Sequence, residues 1–433
     1  MKEQFVKDAV PTVPGVRFGA LRGAMPWIAA IVLVVVLPYI FDSRHSISML
    51  SQMGIAIVFA LSYNMLLGQG GMLSFGHAVY FGLGGFVAIH TLNKVADGGL
   101  SIPTELIPLV GGLGGLAFAI PFGWVSTKRS GTSFAMISLG LGELVAASAL
   151  MFTGFFGGEG GISGNRVTEV TLLGFSYGPA IQVYFLIGAW MLISTGLMYL
   201  LTQTPLGRMA NAVRDNPERA QFVGYDPRLV RFFQFSLAGL FAGIAGGLYA
   251  ISYELLTAEN LGAVASGTVL LATFIGGVGY FFGPVLGAML ITYLQTTLST
   301  FSQAWILYFG LIFVLMVMFA PQGLAGIVMV HRPVWRAGLM GRLLPAYAVA
   351  VVPVLVFLAG IIAMIEMGYH ISTNYDASQP MSLYGMQVVA TGVMPWLLAV
   401  GATVIGTLLC RWAFGRIRAA WGEVDGILAG EKR

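Results

Sequence analysis

Apolar and polar positions along this chain come in long blocks, without the two-residue alternation of a half-buried strand. Blocks close to the roughly 20 residues that carry a helix across a bilayer fall at 26–42, 48–67, 75–92, 105–126, 133–155, 181–202, 231–252, 284–300, 304–320, 344–366 and 384–410. A further block, 262–281, is interrupted by Gly276, Gly277 and Gly279. Irregular backbone at membrane depth survives only against protein or a cavity, so a broken or re-entrant segment is predicted there. The pattern as a whole predicts an all-α polytopic membrane protein with about eleven or twelve transmembrane helices.

The polar intervals between blocks carry their own signals. The richest, 204–231, holds eight charged residues: Arg208, Arg214, Asp215, Glu218, Arg219, Asp226, Arg228 and Arg231. Thr204-Pro205, Asn216-Pro217 and Asp226-Pro227 repeat one device within it. Thr, Asn and Asp cap helix N-termini, and proline is favoured at the first helical position, where its missing N–H costs nothing. Three helix starts are therefore predicted, the middle helix covering 217–223, with Gly224 as its left-handed C-terminal residue. Any long membrane-protein loop needs caps and charges. A rigid, doubly capped helix at the membrane surface also suits docking to a partner.

Composition sharpens the membrane reading. Charged residues make up 9% of the chain against about 25% in soluble proteins, too few to clothe a soluble surface. The 59 glycines suit close helix packing in lipid. A single cysteine, Cys410, excludes an intramolecular disulfide and a cysteine metal cluster. Five intervals are basic: the first 25 residues, Lys128–Arg129, 204–231, 331–342 and the tail after Cys410. Four, two, four and two predicted spans separate them, so parity allows all five to share one face. That face holds 19 of the 22 Lys and Arg, leaving Arg44, Lys94 and Arg166 opposite. The positive-inside rule makes it cytoplasmic, with both termini there. The outer face carries Asp42, Asp97, Glu105, Glu159, Glu169, Glu254, Glu259, Glu366 and Asp376 and is net acidic. Because the basic residues sort by membrane side, the pI of 9.1 implies a lipid bilayer and no nucleic acid as partner. The first apolar block follows polar residues without a small-residue cleavage site, so it reads as an uncleaved first helix.

The segment TPLGRMANAVRDNPERAQFVGYD resembles the coupling loop of bacterial ABC importer permeases, around the EAA signature, in its branched-chain amino-acid form. The match is carried by Gly207-Arg208, Arg214-Asp215-Asn216, Glu218, Ala220 and Gly224, while Pro217 and Arg219 depart from the family pattern. LSYNMLLGQGGMLSFGHAVYFGLGGF (61–86), RSGTSFAMISLGLGEL (129–144), GGEGGISG (157–164) and MFAPQGLAG (318–326) follow in the family's order. The likeness is to the larger of that system's two permease types, the LivM type. It implies a permease subunit in the bacterial inner membrane, paired with a second homologous permease as a heterodimer. Two cytoplasmic ATPase subunits and an external, periplasmic solute-binding protein are the implied partners. Leu, Ile and Val are the implied small-molecule substrates; related permeases carry urea, short amides and other small acids. In this reading Arg208 and Arg214 pair with acidic ATPase residues, and Ala220 and Phe222 fill the ATPase groove. A cytoplasmic segment at 1–25, a permease domain at 26–330 and an extension at 335–433 with two extra spans and a cytoplasmic tail are expected.

Other candidates sit in the apolar blocks. Glu143 lies inside a span, where a charge costs about 2.5–3.5 kcal/mol, so it must face a partner or a cavity. It reads either as a hydrogen-bonded structural acid or as a pathway residue. His77 reads as a packed histidine or a pore-facing one, with Ser74 and Gly76 beside it. Gly68-Gln69-Gly70-Gly71 bears no charge and fits irregular backbone within the membrane. Gly160 and Gly161 offer backbone N–H groups to an outside carboxylate, or form a plain loop. Lys2, Lys7, Lys94, Lys128 and Lys432 never follow glycine, so no P-loop is present. The chain is expected to bind no cofactor itself, ATP being used by the partner subunits. An ion-coupled secondary transporter would need more intramembrane ionisable groups, and no catalytic or metal constellation suggests an enzyme.

Overall fold

The computed structural model describes residues 16–374 and 378–430. Residues 1–15, Asp376 and Lys432, which figured in the charge map above, lie outside the described residues. Two compact units divide the chain, Met1–Leu270 and Leu271–Arg433.

In the first unit come α1 (Val16–Ile40), α2 (Arg44–Asn64), α3 (Ala78–Ala96), α4 (Ile107–Ser126), α5 (Thr132–Met151) and the single turn α6 (Thr153–Phe156). Strand β1 (Ile162–Ser163), α7 (Ala180–Gln203), α8 (Pro205–Asp215), α9 (Pro217–Phe222), α10 (Pro227–Tyr253) and β2 (Leu255–Leu256) follow. The two short strands pair antiparallel, Ile162 opposite Leu256. Helix α10 is the axis of this unit, packed on α2, α3 and α4, with α7 against α2.

Glycines make that packing close. A Cβ on Gly246 would overlap the carbonyl oxygen of Phe81 in α3, and one on Gly115 in α4 would overlap that of Gly239 in α10. One on Gly84 would stand 2.5 Å from Gly243 Cα. With lipid as apolar as the helices, close van der Waals contact is what holds them, and small residues at four-residue spacing permit it.

Helix α11 (Ala263–Gly276) crosses the unit boundary. The second unit continues with α12 (Gly283–Tyr293), α13 (Ser299–Phe301), α14 (Trp305–Phe319), α15 (Gly323–Arg336), α16 (Met340–Thr373), the hairpin β3 (Pro380–Leu383) and β4 (Met386–Val389), and α17 (Val393–Gly430). The predicted break is present: α11 stops at Gly276, and Gly277 has φ +113°. A Cβ on Gly287 would overlap Ala272 O, so α12 folds back tightly on α11.

Each of the twelve apolar blocks falls largely on helix, yet by length and composition fewer of these can cross a bilayer. Seven among the described residues qualify, or eight if α14 and α15, bent by 44°, form one span. The expected eleven or twelve included apolar blocks that fall short of this test in length or in hydropathy. Ala263–Gly276 is apolar but has only 14 residues, α3 is diluted by His90, Asn93 and Lys94, and α12, which continues through a π-turn at Leu294–Leu298 into α13, is diluted by Gln295, Thr296 and Thr297. The last block is also corrected. Residues 384–389 belong to a hairpin whose turn, Tyr384-Gly385, has φ 51° and 78°, and α17 starts only at Val393. Two successive positive φ values match the twist of a two-residue hairpin. The expected tail after Cys410 is the continuation of α17.

Candidate functional site

Two interrupted segments in the first unit meet. The first follows α2, which runs without a cap into a π-turn at Met65–Gln69 and then into non-helical chain until α3 begins at Ala78. Ser74, Gly76 and His77 are buried there. Backbone amides freed inside apolar surroundings need partners, and polar side chains from four helices supply them. The Tyr63 hydroxyl donates to Ser74 O at 2.9 Å. Phe75 N donates to Ser138 Oγ at 3.0 Å, and Ala78 N to Ser266 Oγ at 3.0 Å. Gln234 Nε2 donates to both Met65 O and Gln69 Oε1, each at 3.0 Å. Gly76 lets α5 approach, since a Cβ there would overlap Ser138 O.

His77 is fully buried. Its Nε2 lies 2.9 Å from Ser62 Oγ, its ring is stacked on Phe59 at 5.6 Å, and Tyr63 meets it edge-on at 5.3 Å. Its Nδ1 and Ser74 Oγ have no hydrogen-bond partner among the described residues. Unpaired polar atoms in such packing are rare and call for an explanation.

The second segment is α8–α9. All three predicted caps form. Thr204 Oγ1 accepts from Gly207 N at 3.3 Å, Asn216 Oδ1 from Arg219 N at 2.9 Å, and Asp226 Oδ1 from Arg228 N at 2.8 Å. Gly224 has φ +91°, and Tyr225 N returns to Ala220 O at 3.1 Å, closing α9. Ala210, Val213, Ala220 and Val230 form a small buried cluster that ties α8, α9 and α10 together. Arg208, Asp215, Asn216, Glu218 and Arg219 are exposed, and Phe222 is 90% exposed.

Two expectations change here. Ala220 is 3% exposed and fills its own chain's interior, so it is unavailable to a partner's groove. Arg214 points back into the protein: its Nη1 donates to Gly68 O in the π-turn, and its Nη2 stands 2.9 Å from Asp215 Oδ1. Gly71, at φ +63°, leaves the room, since a Cβ there would stand 2.7 Å from Arg214 Cγ. One guanidinium therefore joins the surface helices to the interrupted span.

The family described as "Branched-chain amino acid transport system / permease component" matches residues 46–321. The chain belongs to this permease family. It is 27% identical over 333 residues to the high-affinity branched-chain amino acid transport system permease protein LivM of Escherichia coli K12, covering 72% of this chain and 77% of that one. A probable branched-chain amino acid transport permease LivH of Methanocaldococcus jannaschii is 29% identical over 147 residues, 32% of this chain and 46% of that one. The autoinducer 2 import permease LsrC of Yersinia pseudotuberculosis is 29% identical over 113 residues, 25% and 32% of the two chains. No solved structure matches. The permease is thus a multi-pass inner-membrane protein.

At the other end of its first unit the permease has a clamped loop. Arg166 donates to Tyr177 O at 2.8 Å and to Ile251 O at 3.3 Å, and pairs with Glu254 at 3.3 Å. Glu105, counted above as a surface acid, is 7% exposed. It accepts from Leu172 N at 3.0 Å, Leu173 N at 3.1 Å and the Tyr177 hydroxyl at 2.9 Å. Burial and the Glu105 carboxylate both push the Tyr177 phenol above its usual range. Gly161 adjoins this loop, where a Cβ would overlap Leu256 O, whereas a Cβ on Gly160 would meet nothing within 4 Å. Glu143 is exposed on α5 and, with Glu259 and Asn260, lines a groove of about 850 Å³.

The partners that organise the broken span, Ser62, Tyr63, Ser138, Gln234 and Ser266, escaped the sequence reading. Their signal was available: each is a polar residue within an apolar block. Among the described residues no group of three His, Cys, Asp or Glu could hold a metal ion.

Proposed function

We propose that the permease is the membrane subunit of an ATP-driven importer that carries branched-chain amino acids. A second permease subunit, two ATPase subunits and an external binding protein complete the system. The observation that carries the coupling is the double commitment of α8–α9. The outer side presents Glu218, Arg219 and Phe222, while the inner side is joined through Arg214 to the broken span at Gly68. A push on the exposed side by an ATPase changing shape is then delivered to the segment that holds Ser74 and His77. The family match and the names of the LivM relatives support Leu, Ile and Val as solutes. The sorting of basic residues supports cytoplasmic termini and an acidic outer face that receives the solute. His77 and Glu143 belong to the pathway in this reading, and the chain leaves ATP to its partners, having no P-loop.

The test is leucine uptake by proteoliposomes holding the full complex. Uptake is expected to require ATP and to disappear in Glu218→Lys and Gly224→Val while the chain still inserts and assembles. Wild-type uptake by both variants would remove the coupling role. Uptake driven by an ion gradient in the chain alone would make it a secondary transporter. Displacement of leucine by urea or short amides would reassign the solute.

A further inference from the structure

Residues beyond 321 lie past the family match and form a second site. Val334, Leu343 and Val424 make one buried cluster with Leu339, Met340, Tyr347 and Trp421 packed around it. The end of α15, the start of α16 and the end of α17 therefore meet at one end of the second unit. His331 is committed there: its Nδ1 lies 2.7 Å from Ile327 O and its Nε2 2.8 Å from the Tyr347 hydroxyl, which also accepts from Trp421 Nε1 at 2.9 Å.

Several guanidiniums lie on these helices, Arg416 over the Trp412 ring at 4.4 Å. Arg332, Arg336, Arg411, Arg416 and Arg418 are exposed, and among the described residues none of them has an ion-pair partner; Arg342 takes Glu423. Arg332 and Arg336 stand one helical turn apart on α15. They share the walls of a groove of about 470 Å³ with Val328, Met329, Trp335 and Met340. Trp335 is 75% exposed.

Two forked cations beside an apolar channel ask for a ligand that is anionic at one end and oily along its length. Guanidinium forks match the paired oxygens of a phosphate, tryptophan favours the bilayer interface, and basic pockets beside membrane helices hold anionic headgroups. We propose that the groove between α15 and the start of α16 is a binding site for an anionic phospholipid. The phosphodiester sits on Arg332 and Arg336, and an acyl chain lies along Val328, Met329 and Trp335. The extension thereby anchors the permease to the acidic lipid of its own leaflet.

Native mass spectrometry of the full chain, released from nanodiscs of mixed phosphatidylglycerol and phosphatidylcholine, reads this directly. Wild type is expected to retain phosphatidylglycerol preferentially. Arg332→Gln/Arg336→Gln should lower that preference about thirtyfold, the effect of two basic groups at a membrane surface. Arg332→Lys/Arg336→Lys should keep most of it, and Arg44→Gln/Lys94→Gln, an equal charge loss elsewhere, should keep all of it. Equal retention of both lipids, or an unchanged preference in the double glutamine variant, overturns the proposal. So does displacement of the lipid by glycerol 3-phosphate at matched concentration, which would make the site one for soluble phosphate. An equal loss in the Arg44/Lys94 control would mean that net charge, not this groove, selects the lipid.

Discussion

Replacing Arg214 by alanine cuts a side-chain bridge from α8 to the π-turn. The pair with Asp215 contributes little, because the two side chains are 38% and 67% exposed and such surface pairs are worth about 0–1 kcal/mol. The bond to Gly68 O is the larger loss. A hydrogen bond from a charged donor is worth about 1.5–3 kcal/mol, and partial exposure brings this to roughly 1 kcal/mol. That is about a fivefold change in any equilibrium the bond biases. Solute moved per ATP hydrolysed should therefore fall about fivefold, with ATPase activity within about twofold of wild type, measured together in proteoliposomes of the full complex. Gly71→Ala should act through the same bond. It adds about 1–2 kcal/mol of left-handed strain and puts a methyl group 2.7 Å from Arg214 Cγ, displacing the guanidinium. If the two act through one contact, the double variant is no worse coupled than the poorer single. Additivity within about 0.5 kcal/mol, or an unchanged ratio in Arg214→Ala, would refute the bridge.

Two further expectations rest on packing alone. Gly246→Ala forces α10 off Phe81 O and should cost about 1–3 kcal/mol, lowering the unfolding temperature of the detergent-purified chain. Gly140→Ala, with open space around it, should be neutral or stabilising by up to about 1 kcal/mol; equal shifts for both would refute the glycine-packed core. Glu105→Gln weakens three charge-assisted bonds to the 172–177 loop and should open that loop to limited proteolysis, while cleavage elsewhere stays unchanged.

What sequence alone made legible follows from how local the physics is. Spans were readable because burial in lipid demands long apolar blocks. The α8–α9 pair was readable because Thr204, Asn216, Asp226, the prolines that follow them and Gly224 act within three or four residues of themselves. The hairpin at 380–389 was not readable, since its second strand looked like the start of a span and only the Tyr384-Gly385 turn marked it. Nor was the fold-back of α12 on α11, which depends on how closely Gly287 meets the carbonyl of Ala272.

The sequence by itself determined the solvent this chain folds in, the family it resembles and where its surface helices begin and end. Tertiary structure alone decided which way the polar groups face. It turned Ala220 inward, joined Arg214 to Gly68 across 146 residues of chain, buried Glu105 under its loop and gathered Ser62, Ser138, Gln234 and Ser266 around one broken span. Residue type states what a side chain can bond to. Which partner it meets depends on helices packed from distant parts of the chain, and no local rule encodes that.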